Sequence, residues 1–326
     1  MLAENPSSFA TCAPVQPFLG WVVETNRSAW QTQVALLGVT HSEPYSGDPW
    51  PNDQTRAPQA VRRLSSQISD GGEHWDFDLG TDLAALAPLR CLDCGDVVWE
   101  GGPYDEYVAR ASALARTLIA QGTQLFVLGG DHGVTIPILE ALEAVGQPIH
   151  LVHIDAHLDR RAEVRGVERG YSSPLYWASR KPWICGMTQL GLRGTGSARR
   201  GEVEAARAYG SHLFTAERVH REGFGPALDT IPASSPVYVT IDADGIDPTE
   251  APGVMAPVPG GLRFAQVAPF LRTLARRHRI VGMDVVEVAP SLDATNGITC
   301  ITAGRLIVNA LGASWAPAGA WRRAAP

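Results

Sequence analysis

The sequence predicts an α/β protein built on a largely parallel β-sheet that helices cover on both faces. Short, nearly continuous apolar runs of strand length recur along the chain, and segments of helical length separate them. Such runs are typical of strands buried on both faces, because a half-exposed strand would alternate apolar and polar residues. Alternation of strands with helices favours parallel pairing, since each helix carries the chain back across one face of the sheet.

Eight apolar runs are the predicted strands: Val34–Val39, Asp96–Trp99, Leu125–Leu128, Ile149–Ile154, Gln189–Leu192, Ser211–Phe214, Val237–Ile241 and Ile280–Val288. The predicted helices are Tyr104–Gln121, Ile136–Ala144, Glu202–Tyr209 and Phe264–Arg277. In the first helix, Tyr107, Ala111 and Leu114 recur at the spacing of one amphipathic face, and Gln121-Gly122 suits its C-terminal cap.

The whole chain, residues 1–326, is expected to form a single domain. Its 326 residues are many for one domain but within the range of large α/β domains. No internal repeat or low-complexity segment divides the sequence. The first twenty residues and the segment 315–326 are expected to be peripheral.

Charge and composition exclude several classes of protein. The net charge of −7 argues against a general nucleic-acid-binding surface, which needs an excess of basic residues. No apolar run approaches the roughly 18 residues that a membrane-spanning helix needs. The chain does not open with the basic segment and apolar core of a secretory signal. We therefore expect a cytoplasmic protein with neither nucleic-acid nor membrane partners.

Five cysteines are too few and too scattered for a disulfide framework. Cys91 and Cys94 form a single CxxC pair, whereas a zinc site would need a second pair of ligands at suitable spacing. A redox role would require exposed thiols with a lowered pKa. We favour the interpretation that the two cysteines are buried small residues near a strand.

Acidic and imidazole side chains lie at or near the carboxyl ends of four predicted strands: His132, Asp155, His157, Asp159, Asp242, Asp244 and Glu287. Because ligands bind outside the carboxyl ends of the strands in open parallel sheets, we expect these side chains to meet at one edge. Alternate residues of an extended segment point the same way, so Asp155 and His157 share one side. The same spacing relates Asp242 to Asp244.

Six of these side chains, all except Glu287, indicate a centre with two metal ions. Two imidazoles and four carboxylates carry too much negative charge for one divalent ion, and oxygen-rich sites with some imidazole suit manganese or a similar ion. A single Asp-x-Asp is more often a turn or a cap. Likewise, a lone histidine in an apolar run, such as His150 or His153, is usually a satisfied core residue. The coincidence of three such segments at strand ends favours the metal site.

Four segments resemble the signatures of the ureohydrolase superfamily: GGDH at 129–132, HIDAHLD at 153–159, TIDADGIDPTEAPG at 240–253 and GMDVVEVAP at 282–290. This superfamily contains arginases, agmatinases, guanidino-acid amidinohydrolases and formimidoylglutamases. The resemblance extends from about Val34 to Arg305. It implies a three-layer α/β/α fold with an eight-stranded parallel sheet, two Mn²⁺ ions per subunit, and a homo-oligomer of three or six copies.

The resemblance also assigns roles to residues. One Mn²⁺ would bind His132, Asp155, Asp159 and Asp242, and the other would bind Asp155, His157, Asp242 and Asp244. Asp159 would carry a proton from the attacking water to the leaving amine. Glu287 would accept hydrogen bonds from the guanidinium of the substrate, because a carboxylate matches its N–H donors.

Two segments depart from the superfamily pattern. Many relatives have His-Gly-x-Pro after the HxDAHxD segment, whereas this chain has Tyr171-Ser172-Ser173-Pro174. Tyr171 would then contact substrate at the mouth of the site, but with a pKa near 10 it would relay protons poorly. The early Gly-x-Arg-x-Gly-Pro pattern reads Asp53-Gln-Thr-Arg-Ala-Pro58.

The expected substrate is a small guanidino compound that is hydrolysed to an amine and urea. Four arginines follow Asp159, namely Arg160, Arg161, Arg165 and Arg169. They could bind a carboxylate at the far end of the substrate, with Arg169 as the predicted contact, or form a solvated loop. The first interpretation favours an ω-guanidino acid such as 4-guanidinobutyrate, with agmatine close behind. Formimidoylglutamase and arginase-type activities are alternatives, and a non-catalytic scaffold is disfavoured. Two tryptophans, Trp50 and Trp177, could line the pocket.

Overall fold

The computed structural model describes residues 11–43, 45, 53–68, 74–83, 89–99 and 103–315, so Trp50 lies outside the described residues. The strands are β1 Thr11–Cys12, β2 Val22–Val23, β3 Val34–Val39, β4 Trp75–Asp76, β5 Thr81–Asp82, β6 Cys91–Val97, β7 Gln124–Gly129, β8 Ile149–Ile154, β9 Ile184–Leu192, β10 His212–Thr215, β11 Val237–Asp242 and β12 Ile280–Val286. The helices are α1 Ala57–Ser65, α2 Tyr104–Ala120, α3 Thr135–Ala141, α4 Pro174–Ala178, α5 Arg200–Tyr209, α6 Ala216–Glu222, α7 Gly225–Leu228, α8 Phe264–Arg277 and α9 Ile298–Trp315.

The main sheet confirms the predicted parallel architecture. Its order is β1-β6-β3-β7-β12-β11-β8-β9-β10, and β2 pairs with β6. The eight strands from β6 to β10 in that order pair in parallel, and each overlaps one of the eight predicted runs, although β6 contains only half of Asp96–Trp99. Two short strands enlarge the sheet beyond the expected eight, because β1 pairs antiparallel with β6 and β2 parallel with it.

Helices cover both faces of this sheet and form two apolar cores. In β3, Val34 and Leu36 point into one core, whereas Ala35 and Leu37 point into the other. The first core includes side chains of α1, α8 and α9, and the second includes side chains of α2 and α3. The result is the three-layer α/β/α arrangement that the resemblance implied.

Several boundaries differ from prediction for identifiable reasons. β6 begins at Cys91 rather than Asp96, since polar Asp93 and Asp96 within the strand have a buried partner. β12 ends at Val286 rather than Val288, because Glu287 adopts a positive φ of 64° that extended strands do not allow. Helix α9 was not predicted. It is buried around most of its surface and therefore lacks the alternation of polar and apolar faces.

The ends of the chain are less peripheral than expected. Within the first twenty residues, β1 joins the sheet and Phe18 is fully buried. The main-chain N–H of Phe18 donates to the carboxylate of Asp93 at 3.0 Å. Trp315 ends α9, and its indole N–H donates to the side-chain oxygen of Gln124 at 2.7 Å. Long-range hydrogen bonds thus hold segments whose sequence carries no clear pattern.

Within the described ranges, no helix combines the length and the apolar character needed to cross a membrane.

Candidate active site

Four neighbouring strands deliver the predicted site residues to one edge of the sheet. β7, β12, β11 and β8 are adjacent in that order. The segments that follow them carry His132, Glu287, Asp244 and Asp155, respectively. Residues from distant parts of the sequence therefore meet where the parallel strands end, as the strand-end rule predicted.

The first group of predicted metal ligands converges on one atom, Nδ1 of His132. A carboxylate oxygen of Asp155 lies 3.2 Å from this nitrogen, one of Asp159 lies 2.9 Å from it, and one of Asp242 lies 3.3 Å from it. All four residues are buried. Yet the Nδ1 atom forms no hydrogen bond of acceptable geometry. Three carboxylates that crowd a buried nitrogen without hydrogen-bonding it form an arrangement that suits a shared cation.

The second group gathers around His157. Its Nδ1 atom lies 3.0 Å from a carboxylate oxygen of Asp244 and 3.4 Å from one of Asp155. The main-chain N–H of Asp244 donates to the carboxylate of Asp242 at 2.8 Å. Asp155 contacts both histidines and therefore joins the two groups, whereas the bridging role of Asp242 stays a prediction.

Hydrogen bonds behind the site show which atoms are free to bind a metal. The Nε2 atom of His132 lies 3.0 Å from the hydroxyl of Thr240. If Nε2 carries the proton of a neutral imidazole and donates it there, the lone pair of Nδ1 faces the three carboxylates. This arrangement is repulsive without a cation and favourable with one.

Electrostatics support the same conclusion. Burial, and then the charges of Asp244 and Asp155, raise the pKa of Asp242 well above its ordinary value. Burial alone would lower the pKa of His132, but its carboxylate neighbours raise it well above the ordinary value. Without a cation, this cluster could relieve its negative charge only by taking up protons. The residues therefore fit a binuclear metal centre.

His153 has a role that the sequence analysis missed. It is a satisfied core histidine, as expected, but one of its two partners is a predicted metal ligand. Gln189 donates an amide N–H to Nδ1 at 3.2 Å, so Nε2 carries the proton and donates to Asp155 at 2.8 Å. This contact orients Asp155, as outer partners of metal ligands commonly do. The alternation that placed Asp155 and His157 on one side also placed His153 there.

Glu287 lies directly beside the first ligand group. One of its carboxylate oxygens accepts the main-chain N–H of His132 at 2.8 Å, and the other accepts the amide of Gln54 at 3.0 Å. Burial, and then the charge of Asp131, raise the pKa of Glu287 to about 8. Gln54 is buried and was not predicted as a site residue, although it belongs to the segment that departs from the superfamily pattern.

The two residues predicted to be catalytic both have a strained backbone. Asp159 has a φ of 46° and Glu287 a φ of 64°, values that residues other than glycine rarely adopt. Such strain persists only where surrounding contacts enforce it, and it concentrates at functional sites. Burial, and then the charge of Asp155, raise the pKa of Asp159 to about 6, a value that suits proton transfer near neutral pH.

Tyr171 packs against a second tyrosine close to the site. The centroids of its ring and the ring of Tyr45 are 4.1 Å apart. The hydroxyl of Tyr45 accepts the main-chain N–H of Ser172 at 2.9 Å, and burial raises the pKa of this hydroxyl to about 12. A side chain on Gly170 would lie 2.4 Å from the Tyr45 ring, so a glycine is required there. Tyr45 is therefore a neutral, buried residue, and Tyr171 packs against its ring.

The arginines after Asp159 do not form the carboxylate-binding cluster that was considered. Arg160 is buried and donates to the carbonyl of Leu175, and Arg161 donates to the carbonyl of Ser197. Arg169 pairs with Asp105 at 3.2 Å, with its guanidinium carbon 5.4 Å from the ring centroid of Trp177. Protein groups thus already occupy the guanidinium that was predicted to bind substrate, and Trp177 contacts Arg169.

The redox interpretation of the CxxC pair is wrong. Cys94 is fully buried and Cys91 is mostly buried. Burial raises the pKa of Cys91 to about 11 and that of Cys94 further still. Both thiols are therefore protonated at neutral pH and are poor nucleophiles.

Comparison with known proteins agrees with this site. The sequence profile of the arginase family matches residues 32–312. The chain belongs to the arginase family. This arginase-family protein is 35% identical to agmatinase from Chromobacterium violaceum over 263 residues, which cover 78% of this chain and 76% of that relative. It is also 35% identical to N(1)-aminopropylagmatine ureohydrolase from Thermus thermophilus over 268 residues, or 81% of this chain and 85% of the relative.

A solved structure shares the fold over almost its whole length. Proclavaminate amidino hydrolase from Streptomyces clavuligerus superposes on the arginase-family protein with a TM-score of 0.76 and 27% identity. The match covers 95% of this chain and 99% of the other. The fold, the family and the presence of a His/Asp metal cluster therefore agree, and the protein is an arginase-family hydrolase.

Proposed function

We propose that this protein is a Mn²⁺-dependent amidinohydrolase of the agmatinase type, which hydrolyses the guanidino group of a small molecule to an amine and urea. The observation that carries the proposal is the meeting of two His/Asp groups, joined by Asp155, directly beside the carboxylate of Glu287. The two curated relatives described above act on agmatine or its aminopropyl derivative, as their names state.

Residues of this chain would hold both the ions and the substrate. His132 and Asp159 would serve one Mn²⁺, His157 and Asp244 the other, and the bridging aspartates both. When bound, the ions would supply an activated water as the nucleophile. Manganese is proposed because the donors are mostly carboxylate oxygens with some imidazole nitrogen.

Glu287 would bind and orient the guanidinium. A carboxylate has roughly four lone-pair sites, and His132 and Gln54 use two of them here. The remaining sites can accept the paired N–H groups of a guanidinium, with the positive charge of the substrate favouring the ionised carboxylate.

Asp159 would transfer the proton. Its carboxylate lies next to His132, at the first ligand group. It could accept a proton from the attacking water and deliver it to the leaving amine, which would otherwise depart as an unstable anion.

The far end of the substrate is proposed to be an amine rather than a carboxylate, as in agmatine. The preference for an ω-guanidino acid depended on arginines near the mouth, and Arg160, Arg161 and Arg169 contact protein groups. The partly exposed ring of Tyr171, which packs at a tilt against Tyr45, offers aromatic surface, and such surface attracts organic cations. Arginine, ω-guanidino acids and formimidoylglutamate are the alternative substrates.

We also propose that the protein is a homo-oligomer. Light scattering would measure the mass of the assembly and so the number of copies in it.

A product assay on the manganese-loaded protein tests the proposal. The panel consists of agmatine, aminopropylagmatine, arginine, 4-guanidinobutyrate and formimidoylglutamate, with urea and formamide measured separately. Urea from agmatine or its aminopropyl derivative, well above that from the acids, is the expected result. Formamide as the only product, or urea from 4-guanidinobutyrate alone, would contradict the assignment of the substrate. No product from any member of the panel would contradict the proposed reaction.

A further inference from the structure

Arg193, which directly follows β9, is the most heavily hydrogen-bonded side chain behind the metal cluster. Its guanidinium is more than half buried and donates to five main-chain carbonyl oxygens, those of Gly191, Asp244, Gly245, Ile246 and Val258. The contact with the carbonyl of Asp244 is 2.6 Å long and the shorter one with Val258 is 2.7 Å. One side chain therefore ties together the end of a strand, the turn that follows β11, and the loop at Val258.

The positive charge of Arg193 has no direct acidic partner in the part of the chain that the structure describes. No carboxylate lies within 4.0 Å of its guanidinium, and each of its hydrogen bonds goes to a carbonyl. The nearby acids that act on it electrostatically are Asp244, Asp155, Asp247 and Asp242. Three of these four are predicted metal ligands, so the charge of Arg193 acts on the cluster from behind.

The segment around Arg193 contacts both residues that belong to the second ligand group alone. The carbonyl of Asp244 accepts from the guanidinium, and the main-chain N–H of Arg193 donates to Ala156, next to His157, at 2.9 Å. Three residues on, a side chain at Gly196 would come within 2.6 Å of the imidazole of His157. The loop Arg193–Gly196 thus packs closely against the imidazole and holds the turn that carries the carboxylate.

We propose that Arg193 is a positioning residue for the second metal ion, the one assigned to Asp155, His157, Asp242 and Asp244. It fixes the turn that carries Asp244, and its charge offsets the repulsion among the clustered carboxylates. His132 and Asp159, which belong to the first ion alone, make no contact with its side chain within the described residues. The inference rests on the proposed binuclear centre and adds a residue that controls one half of it.

The test measures metal content rather than turnover. Wild type, Arg193→Met and Arg193→Lys are loaded with Mn²⁺ and dialysed, and bound manganese per chain is then determined by elemental analysis together with binding titrations. Arg272→Met is the matched control, because Arg272 is a half-buried arginine on α8 whose hydrogen bond goes to the amide of Asn309. Circular dichroism and thermal unfolding of the metal-free proteins establish that each variant is folded.

Arg193→Met is expected to lower the affinity for one of the two ions by about 10- to 100-fold, which is the usual scale for outer partners of metal ligands. The affinity for the other ion should not change. Arg193→Lys keeps the charge but has fewer donors, so its loss should be smaller. The electron paramagnetic resonance spectrum of Arg193→Met should change from that of a coupled pair to that of an isolated Mn²⁺ ion. The control should bind two ions as wild type does.

Two results would overturn the inference. One is a folded Arg193→Met protein that binds both ions with wild-type affinity. The other is a folded Arg193→Met protein whose affinity for both ions falls equally. If Arg193→Met does not fold, Arg193→Lys decides, because it keeps the charge but loses most of the hydrogen bonds to the main-chain carbonyls; wild-type affinity for both ions would then overturn the inference. A wild-type protein that binds two ions but hydrolyses no guanidino compound would contradict the proposed reaction and leave this inference standing.

Discussion

Two buried polar clusters in this protein differ in what neutralises the negative charge of their carboxylates. Arg62, fully buried, donates to both carboxylate oxygens of Asp93 at 2.8 and 3.0 Å and also pairs with Asp96. In the other cluster, three carboxylates surround Nδ1 of His132 at 2.9 to 3.3 Å without a hydrogen bond to it. The first cluster contains its own cation, and the second requires one from outside.

This difference separates structural from functional charge. A carboxylate whose lone pairs already receive donors from the chain has little capacity left for a ligand. The carboxylates around His132 have unused lone pairs directed at a common point, and their mutual repulsion is the reason that a divalent ion would bind there. Carboxylate lone pairs that accept no hydrogen bond in a buried cluster are therefore more informative about function than the number of acids in it.

The largest effect is expected from removing a charge in the cluster that needs a cation. Asp159→Asn should lower kcat by about 10²- to 10⁴-fold, because an amide cannot accept and deliver the proton. Much of the metal should remain, and the melting temperature of the metal-free protein should not fall, since the change relieves repulsion. Steady-state kinetics, metal analysis and calorimetry measure these three quantities. Asp229→Asn, at an exposed site, is the control, and near wild-type turnover would refute the role of Asp159.

In the self-contained cluster the same kind of change should affect stability instead. Arg62→Met leaves Asp93 and Asp96 without their cation, and the loss of one partner from a buried pair costs about 3–5 kcal/mol in the free energy of unfolding. Metal content per folded chain should stay the same. Urea unfolding measures the loss, with Arg116→Met on the surface as a control expected to cost under about 1 kcal/mol. Equal stability of the two variants would break the comparison.

Gln54 allows a test between these extremes, because it donates to Glu287, the proposed guanidinium-binding carboxylate, without belonging to either cluster. Gln54→Leu removes a hydrogen bond to Glu287, and such bonds to charged groups contribute about 1.5–3 kcal/mol. We expect kcat/KM to fall by about 10- to 100-fold with metal content unchanged. Gln59→Leu, at an exposed position of α1, should have no effect. An unchanged kcat/KM for Gln54→Leu would show that Glu287 is held by His132 alone.

The smallest effect concerns a buried group that avoids charge altogether. Burial, and then His212 and His278, lower the pKa of His150 to about 4, well below its value of about 6.5 in an unfolded chain. The stability that depends on neutral His150 is therefore present above pH 6.5 and is lost as the pH falls toward 4. Between pH 7 and pH 5.5, wild type should lose about 1 kcal/mol more than His150→Gln. Urea unfolding at both pH values measures this difference, and exposed His220→Gln should behave as wild type.

The sequence predicted those parts of the site that depend on local spacing. His132, Asp155 and Asp242 could be identified because each follows an apolar run that is a parallel strand. The helix Phe264–Arg277 has the predicted bounds, since its amphipathic pattern is strong.

Other functional contacts were out of reach because they join distant segments. Gln54 and Glu287 are 233 residues apart, and nothing near Gln54 in the sequence indicates the contact. Arg193 acts on main-chain carbonyls, which every residue possesses, so no pattern of side chains could reveal its partners. The contacts of the arginines after Asp159 could not be predicted for a similar reason. Their partners, such as Asp105 and the carbonyl of Leu175, are determined by packing rather than by spacing.

The order of the central strands also sets when the site can form during synthesis. His132 follows β7 and Asp155 follows β8, but two strands from much later in the chain, β12 and β11, separate them in the sheet. A nascent chain that ends before Ile280 lacks the strand that joins β7 to β11. The ribosome must therefore synthesise almost the whole polypeptide before His132 can join the ligands that follow β8 and β11, so a metal ion that needs His132 would bind late in the maturation of this protein.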